Sequence, residues 1–539
     1  MTTDPAVRSV AHHLIDGLRR VGIDQLFCLP GVQNDDFFDV LFDAPDITPI
    51  VARHEQGASY MAMGAAAATG RPAAMCVVPG PGMLNAAAGL TSACGAGARV
   101  LALVGQIPTP ALGRGYRLLH ELDDQPAVLA QVTKHVAALR RPEQAVGQIQ
   151  GAFDALVSGT PRPVAIEVPA NLWGAAAPGG LTDPAVTMPV VSESALEQAV
   201  VAIRASRNPL IWVGTGAQDA SAAVRRFADL LQAPVSTRRM GHGVMDADDP
   251  LSIPMGVAHD LWAGVDLVIG IGSRIEFPLL QWGRGDLRLI QINTDWDELD
   301  RHNIGAIGLH GDATVVVAQL IGALAAEQRP DRRPEFAALK AEFRARIAHL
   351  EPQIGFLQAI ESVLPADGII VEDVTQVTFA AHFAYPFRRP RTLLSTGFAG
   401  TLGSAVATAI GTKAALPDRA VVAISGDGGF LFSATELASA VQHHIGAVTI
   451  VFDDGAYGNV RRIQQERYGP TRTIASSLVN PDFVAFARSF GAHGVRAESP
   501  GELGVALAAA VTKDLPTVIH VPVGPMPTPW PFILMPKVR

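Results

Sequence analysis

From end to end the chain alternates short runs of apolar, often β-branched residues with longer Ala-rich stretches of helical character. That alternation confines it to α/β folds with a largely parallel sheet, because strands joined through helices return in the same direction. In the first third the strand candidates are Gln25–Leu29, Ile50–Arg53, Ala73–Val78, Val100–Val104 and Pro163–Val168. Each is apolar throughout instead of alternating in and out, as strands covered on both faces are. Further candidates follow at Leu210–Val213, Leu267–Ile271 and Leu289–Asn293, and then at Gly368–Glu372, Ala420–Ile424, Ala447–Phe452 and Thr517–Val521.

Length sets the number of such units. A chain of 539 residues exceeds what one hydrophobic core supports. Two stretches interrupt the pattern: Ala175–Pro189, rich in Gly, Pro and Ala, and Ala325–Pro334, which carries Arg332 and Arg333. The sequence therefore predicts an α/β protein of three doubly wound parallel-sheet domains, over 1–175, 190–325 and 345–539. A net charge of −9 with no basic stripe excludes nucleic acid as a partner. No apolar run reaches membrane-spanning length, so no membrane partner is expected. Cys28, Cys76 and Cys94 lie in apolar or small-residue surroundings and read as buried thiols in a reducing compartment. Met1-Thr2-Thr3-Asp4-Pro5 lacks the basic-then-apolar start of a signal peptide. A soluble cytoplasmic protein is the expectation.

Ligands of doubly wound sheets sit beyond the carboxyl ends of the strands. The strongest signal there is Val421–Gly429, where a strand ending at Ser425 runs into Gly426-Asp427-Gly428-Gly429. We expect a tight turn, with a helix from about Ser433 presenting free N–H groups to a phosphate. One strand–helix–strand unit later the chain reaches Asp453-Asp454, on the same edge of the sheet. Two carboxylates, a backbone carbonyl and phosphate oxygens suit octahedral Mg²⁺. The second signal is Arg53-His54-Glu55-Gln56-Gly57-Ala58, a glutamate in the first turn of a helix, where the dipole alone would favour it.

Gly-Asp-Gly followed about 27 residues later by a polar pair and a small loop resembles the cofactor motif of thiamine diphosphate (ThDP) enzymes. The resemblance covers essentially the whole chain and implies pyrimidine-binding, central and diphosphate-binding domains in that order. It implies that Asp427, the Asp454 side chain and the Ala456 carbonyl hold Mg²⁺, although the family usually has Asn-Asn where this chain has Asp453-Asp454. It makes Glu55 the first catalytic residue, contacting N1′ of the cofactor pyrimidine. Gly31 resembles the glycine facing the thiazolium, and Pro79, Gly82 and Asn85 a GPG-x-x-N segment. Gly400 resembles the residue whose backbone carbonyl accepts from the 4′-amino group, and Leu402 the bulky residue that bends the cofactor. Thr375, Gln376, Gly426, Gly428, Gly429, Tyr457 and Gly458 fall where contacts to the diphosphate end and the pocket are implied, packing being the plainer reading of Tyr457.

By motif the chain is most similar to the acetohydroxyacid (acetolactate) synthase-like and benzaldehyde lyase-like group. Gly105–Thr109 carries that likeness, and His120 in Leu119-His120-Glu121 stands where the group has a Gln. A titratable imidazole there can pass protons to substrate. Gln33 stands where some carboligases have a catalytic His. Pro278 replaces an arginine that grips a second 2-oxoacid, and Ile463 a tryptophan that selects 2-oxobutyrate. Both losses point away from the branched-chain biosynthetic enzyme, toward a related lyase, decarboxylase or carboligase acting on a small-molecule carbonyl substrate. Gly214-Thr215-Gly216-Ala217 could face FAD or ADP, but the full dinucleotide fingerprint is absent. The resemblance also implies at least a homodimer, commonly a homotetramer. The rival expectation is a catalytically silent homologue serving as scaffold or regulatory subunit.

Overall fold

The computed structural model describes residues 8–301 and 305–539; the amino-terminal stretch read for a signal sequence lies outside them. After β1 (Arg8–Ser9), the first sheet contains β2 (Gln25–Cys28), β3 (Thr48–Val51), β4 (Ala73–Val77), β5 (Val100–Gln106), β6 (His135–Ala138) and β7 (Val164–Pro169). Their order is β3-β2-β4-β5-β7-β6 and every neighbouring pair is parallel. β8 (Ala176–Ala177) returns to pair antiparallel with β1. The middle sheet has β9 (Pro209–Val213), β10 (Val235–Thr237), β11 (Leu267–Ile271), β12 (Arg288–Asn293) and β13 (Ile307–His310), all parallel, in the order β10-β9-β11-β12-β13. The third has β14 (Ile369–Glu372), β15 (Leu393–Leu394), β16 (Val421–Gly426), β17 (Val448–Asp453), β18 (His493–Arg496) and β19 (Thr517–Pro522). They too are all parallel, in the order β15-β14-β16-β17-β19-β18. The architecture is thus the expected one of three parallel α/β sheets.

The central strands match the apolar runs to within a residue or two, since burial on both faces writes itself as unbroken hydrophobicity. Sequence reading passed over β6, β10, β13, β15 and β18, each at an edge of its sheet. An edge strand can leave one face wet, and its composition then merges with that of a loop. β8 lies in the stretch read as the first linker. Near the second, Pro334 occupies the first turn of the helix Arg333–Ile347, where its missing N–H costs nothing.

One correction bears on chemistry. The segment Gly426–Gly429 is not a turn preceding a helix from Ser433. The strand ends at Gly426, which caps a helix Asp427–Ser433. Asp427 itself therefore stands at the helix start, where the dipole favours a negative charge.

The first and third sheets share one apolar cluster, reached through two helices, Glu55–Thr69 and Ala405–Ala415. Both are built from small residues and approach closely. A side chain at Gly64 would strike the Thr408 carbonyl, and one at Gly411 the Met61 carbonyl. The helix Glu55–Thr69 starts where His54 accepts the Gln56 N–H, and it stops at Gly70, in left-handed conformation at φ +71°. Among the described residues no helix is long and apolar enough to cross a membrane.

Candidate active site

In the first domain the ends of β2, β3 and β4 bring the predicted residues into one corner. Glu55 opens its helix nine-tenths buried, at 9% exposure. Its Oε2 accepts from the Asn85 side-chain amide at 3.0 Å. Asn85 and Gly82 lie in the first turns of the helix Pro81–Ala96, started by Gly80 at φ +59°. A Cβ at Gly82 would sit 2.6 Å from a Val78 methyl and 3.3 Å from Glu55 Oε1, so glycine is what allows the carboxylate so near that helix. At Gly31 a Cβ would meet the other Val78 methyl at 2.5 Å.

Gln33 and His120 join this corner. Gln33 Nε2 donates to the Leu119 carbonyl at 3.3 Å, and a side chain at Gly80 would collide with the His120 carbonyl. His120 takes the left-handed conformation at φ +68°, uncommon for a residue with a side chain. Its Nδ1 is shielded from solvent and has no partner among the described residues; the same holds for Gln33 Oε1. Sequence reading missed Gln125, whose Oε1 accepts the Gly80 N–H at 2.9 Å while its Nε2 donates to the buried Glu167 at 2.8 Å.

In the third domain the second acidic turn meets the first, the Ala456 N–H donating to Asp427 Oδ2 at 3.1 Å. That backbone N–H is the contact the structure records for Ala456 with Asp427. Burial pushes the Asp427 carboxyl up to about 6, with the Asp454 and Asp453 charges adding to the rise. Burial also raises Asp454, against the pull of Arg461, 3.7 Å away. Gly458 starts the next helix, and a side chain there would run into Asp454 Oδ2. The Oδ2 of Asp453 lies 3.0 Å from His520 Nε2 and its Oδ1 accepts from Asn480 at 2.8 Å. Asn480 also donates to Asp427 at 2.7 Å and so bridges the two carboxylates.

The remaining third-domain residues divide. Leu402 lies against Gly429, where a Cβ would come 3.1 Å from its methyl, and Gly400 is left-handed at φ +57°. Gln376 Oε1 is buried and free of partners among the described residues. Thr375 is committed locally, forming a capping box with Thr378. Tyr457 packs its ring over Gly428, where a Cβ would lie 2.6 Å from it, so packing describes its observed role. Asp373, unassigned in the sequence, organises this end. Its carboxylate accepts the Gly403 N–H at 3.0 Å and the Ser425 hydroxyl at 3.1 Å, tying the Gly400–Leu402 loop to the strand that delivers Asp427. Burial pushes it up to about 6.

No hydrogen bond joins Glu55 to the Asp427 turn among the described residues. The third-domain side chains that reach the Glu55 segment are Glu436, nine residues beyond Asp427 and bonded to the N–H groups of Arg53 and His54, and Gln442, whose Oε1 accepts from the Arg53 guanidinium at 2.6 Å. The Gly400–Leu402 loop touches the Asn85 helix seven residues beyond Asn85, through Thr401 and Ser92 at 2.9 Å. That is about 10 Å along the axis.

A cleft of 410 Å³ lies at the carboxyl ends of the middle-domain strands, walled on the other side by first-domain residues such as Arg99 and Arg162 and by Arg391 of the third. Gly214-Thr215-Gly216 lines it together with Arg238, Arg239 and Arg274. Pro278 is buried in a short helix, Glu276–Gln281, and Ile463 is 44% exposed on the helix Gly458–Tyr468. Burial pushes the Cys28 thiol up to about 12, away from the thiolate form that reacts.

Three family models match the chain in order. They are the thiamine pyrophosphate enzyme N-terminal TPP-binding domain over residues 8–128, the central domain over 196–320 and the C-terminal TPP-binding domain over 373–521. A protein described as a probable 2-ketoarginine decarboxylase of Pseudomonas aeruginosa is 30% identical over 94% of this chain and 93% of its own length. A probable acetolactate synthase large subunit of Methanocaldococcus jannaschii is 29% identical, covering 96% and 92%. The acetolactate synthase isozyme 1 large subunit of Escherichia coli is 28% identical, covering 97% and 95%.

Proposed function

Because the chain belongs to the thiamine pyrophosphate enzyme family, in its acetolactate synthase-like branch, we propose that it is a ThDP- and Mg²⁺-dependent enzyme acting on 2-oxoacids. It removes carbon dioxide and releases the acyl unit or joins it to a second carbonyl. The observation that carries this reading is the pair of corners: a buried glutamate held by Asn85 against a glycine helix start, and a buried carboxylate, Asp427, bonded to the turn that carries the half-buried Asp454.

The residues present fit the cofactor. Asp427 and Asp454 are hard oxygen donors whose burial and mutual repulsion a divalent cation would relieve. With the Ala456 carbonyl they would hold Mg²⁺ against the diphosphate. Gly426, Gly428, Gly429 and Gly458 leave backbone N–H groups open at two helix starts, and Gln376 offers an unpartnered carboxamide. Leu402 and Gly400 would buttress the pyrimidine from one side, with Pro79, Gly82 and Asn85 on the other. When bound, ThDP supplies the carbon nucleophile and the electron sink for cleaving the bond beside a carbonyl. Glu55 would hold and return the proton at N1′ of the pyrimidine, its own position fixed by Asn85. His120, whose Nδ1 has no partner among the described residues, would move a proton beside the substrate carbonyl, and the free Gln33 Oε1 would accept from a substrate hydroxyl. FAD or ADP has no part in this reaction scheme, and the cleft lined by Gly214–Gly216 is left outside it.

As the family resemblance implies, each site would combine residues of two copies, so the working unit would be at least a homodimer. The test is a screen of 2-oxoacids and acyloins with ThDP and Mg²⁺, products being identified by mass spectrometry. Decarboxylation or acyloin formation that requires both additions supports the reading; a chain inert to every substrate and unable to bind ThDP contradicts it.

A further inference from the structure

We infer that Glu436 is a positioning residue for Glu55, which it reaches by holding the backbone that leads into the Glu55 helix. The inference rests on the catalytic part proposed for Glu55. Glu436 closes the tight turn Ala434–Glu436 between the helices Asp427–Ser433 and Leu437–Gln442 and is fully buried, at 0% exposure. Its Oε1 and Oε2 accept the Arg53 N–H at 3.1 and 3.0 Å, and Oε1 accepts the His54 N–H at 3.0 Å. The Ser439 hydroxyl donates to Oε2 at 2.7 Å.

A buried carboxylate is costly unless hydrogen-bond donors surround it. Here the donors include two consecutive backbone amides, those of the residues immediately before Glu55. His54 is also the cap from which that helix starts. Gly57, one turn further on, has no room for a side chain, because a Cβ would overlap Glu436 Oε1. The chain entering the helix is thus fixed in direction by a carboxylate from another domain, while Asn85 fixes the far end of the Glu55 side chain. Proton relays tolerate little misplacement, so a strap of this kind acts on turnover more than on binding.

A purely structural role, holding the two domains together, is the competing explanation, and the molecule supplies its own control. Gln25 Nε2 donates to the Ala414 carbonyl at 2.8 Å, a bond between the same two domains that touches neither corner. The experiment compares Glu436→Gln, Glu436→Asp and Gln25→Ala in the full-length protein. Amide hydrogen exchange of the 53–57 segment is measured without cofactor, and steady-state kinetics with ThDP and Mg²⁺. In Glu436→Gln a neutral amide oxygen replaces the carboxylate as acceptor for both N–H groups, and the NH₂ in place of Oε2 can no longer accept from Arg53 or Ser439. Exchange of Arg53 and His54 should quicken, and kcat should fall about tenfold or more with KM and cofactor affinity little changed. Glu436→Asp should recover part of kcat, and Gln25→Ala should leave it unaltered. Wild-type kcat or unchanged protection in Glu436→Gln would overturn the inference, and so would an equal loss in Gln25→Ala. Failure of the proposed function looks different: the wild type itself would show no ThDP-dependent turnover.

Discussion

Replacing Asp373 with Asn isolates one carboxylate at the heart of the third domain. Asp373 is 4% exposed and accepts from Gly403, Val374 and Ser425. Burial first, and then the nearby Glu372 charge, lift it from the ordinary 3.8 to about 6. The native protein therefore holds this proton more tightly than the unfolded chain does. Between those two values the native state binds more protons, so unfolding free energy falls as pH rises. Full ionisation corresponds to a loss of about 3 kcal/mol. Asn has no proton to lose. It keeps one acceptor for Gly403 and turns an amide toward Ser425, at a cost of about 1 kcal/mol. Asp373→Asn should thus be slightly less stable than wild type near pH 4 and more stable by about 2 kcal/mol at pH 7. Urea titrations of both proteins across that range read the difference directly, and other titrating groups, Asp427 included, cancel between them. A difference that stays flat with pH would refute the burial argument.

Glu55→Gln should abolish turnover yet leave ThDP affinity within a few-fold by calorimetry; full activity would remove Glu55 from catalysis. Chelating divalent metal should abolish turnover, with recovery on adding Mg²⁺, and Asp454→Ala should raise the Mg²⁺ needed for half-maximal activity; indifference to both would argue against the acidic cage. Gly82→Ala pushes a methyl into Val78 and toward Glu55, so it should destabilise by about 1–3 kcal/mol and lower kcat. Wild-type values for both would mean that the close approach is dispensable.

The parts of the molecule legible in its sequence are those whose environment is uniform. Interior strands such as β5 and β16, buried on both faces, could be written only with apolar residues. Edge strands such as β13 and β18 answer to solvent on one side and left no such signature. Among the candidate site residues, Asp427, Asp454 and Glu55 stood out in the sequence because a motif fixes them relative to the chain. Asp373 sits directly past β14, where the rule about strand ends could have found it. Glu436 and Asn480 gave no local sign. Their importance comes from what lies across the fold, the Arg53–His54 backbone and the Asp427–Asp453 pair, and long-range contacts are not written in spacing. Tyr457 shows the converse: a residue matched by motif whose observed contact is packing on Gly428.

The central claim is that Glu55 of one copy and the Asp427–Asp454 turn of another serve a single cofactor, and subunit mixing tests it most directly. Glu55→Gln and Asp427→Ala chains, each inactive alone, are unfolded together in equal amounts and refolded. A site shared across a twofold interface regains intact pairs in mixed dimers, so activity should return to about a quarter of wild type. Activity that stays at zero while mixed dimers demonstrably form would mean that both groups act from the same chain, and the account would fail.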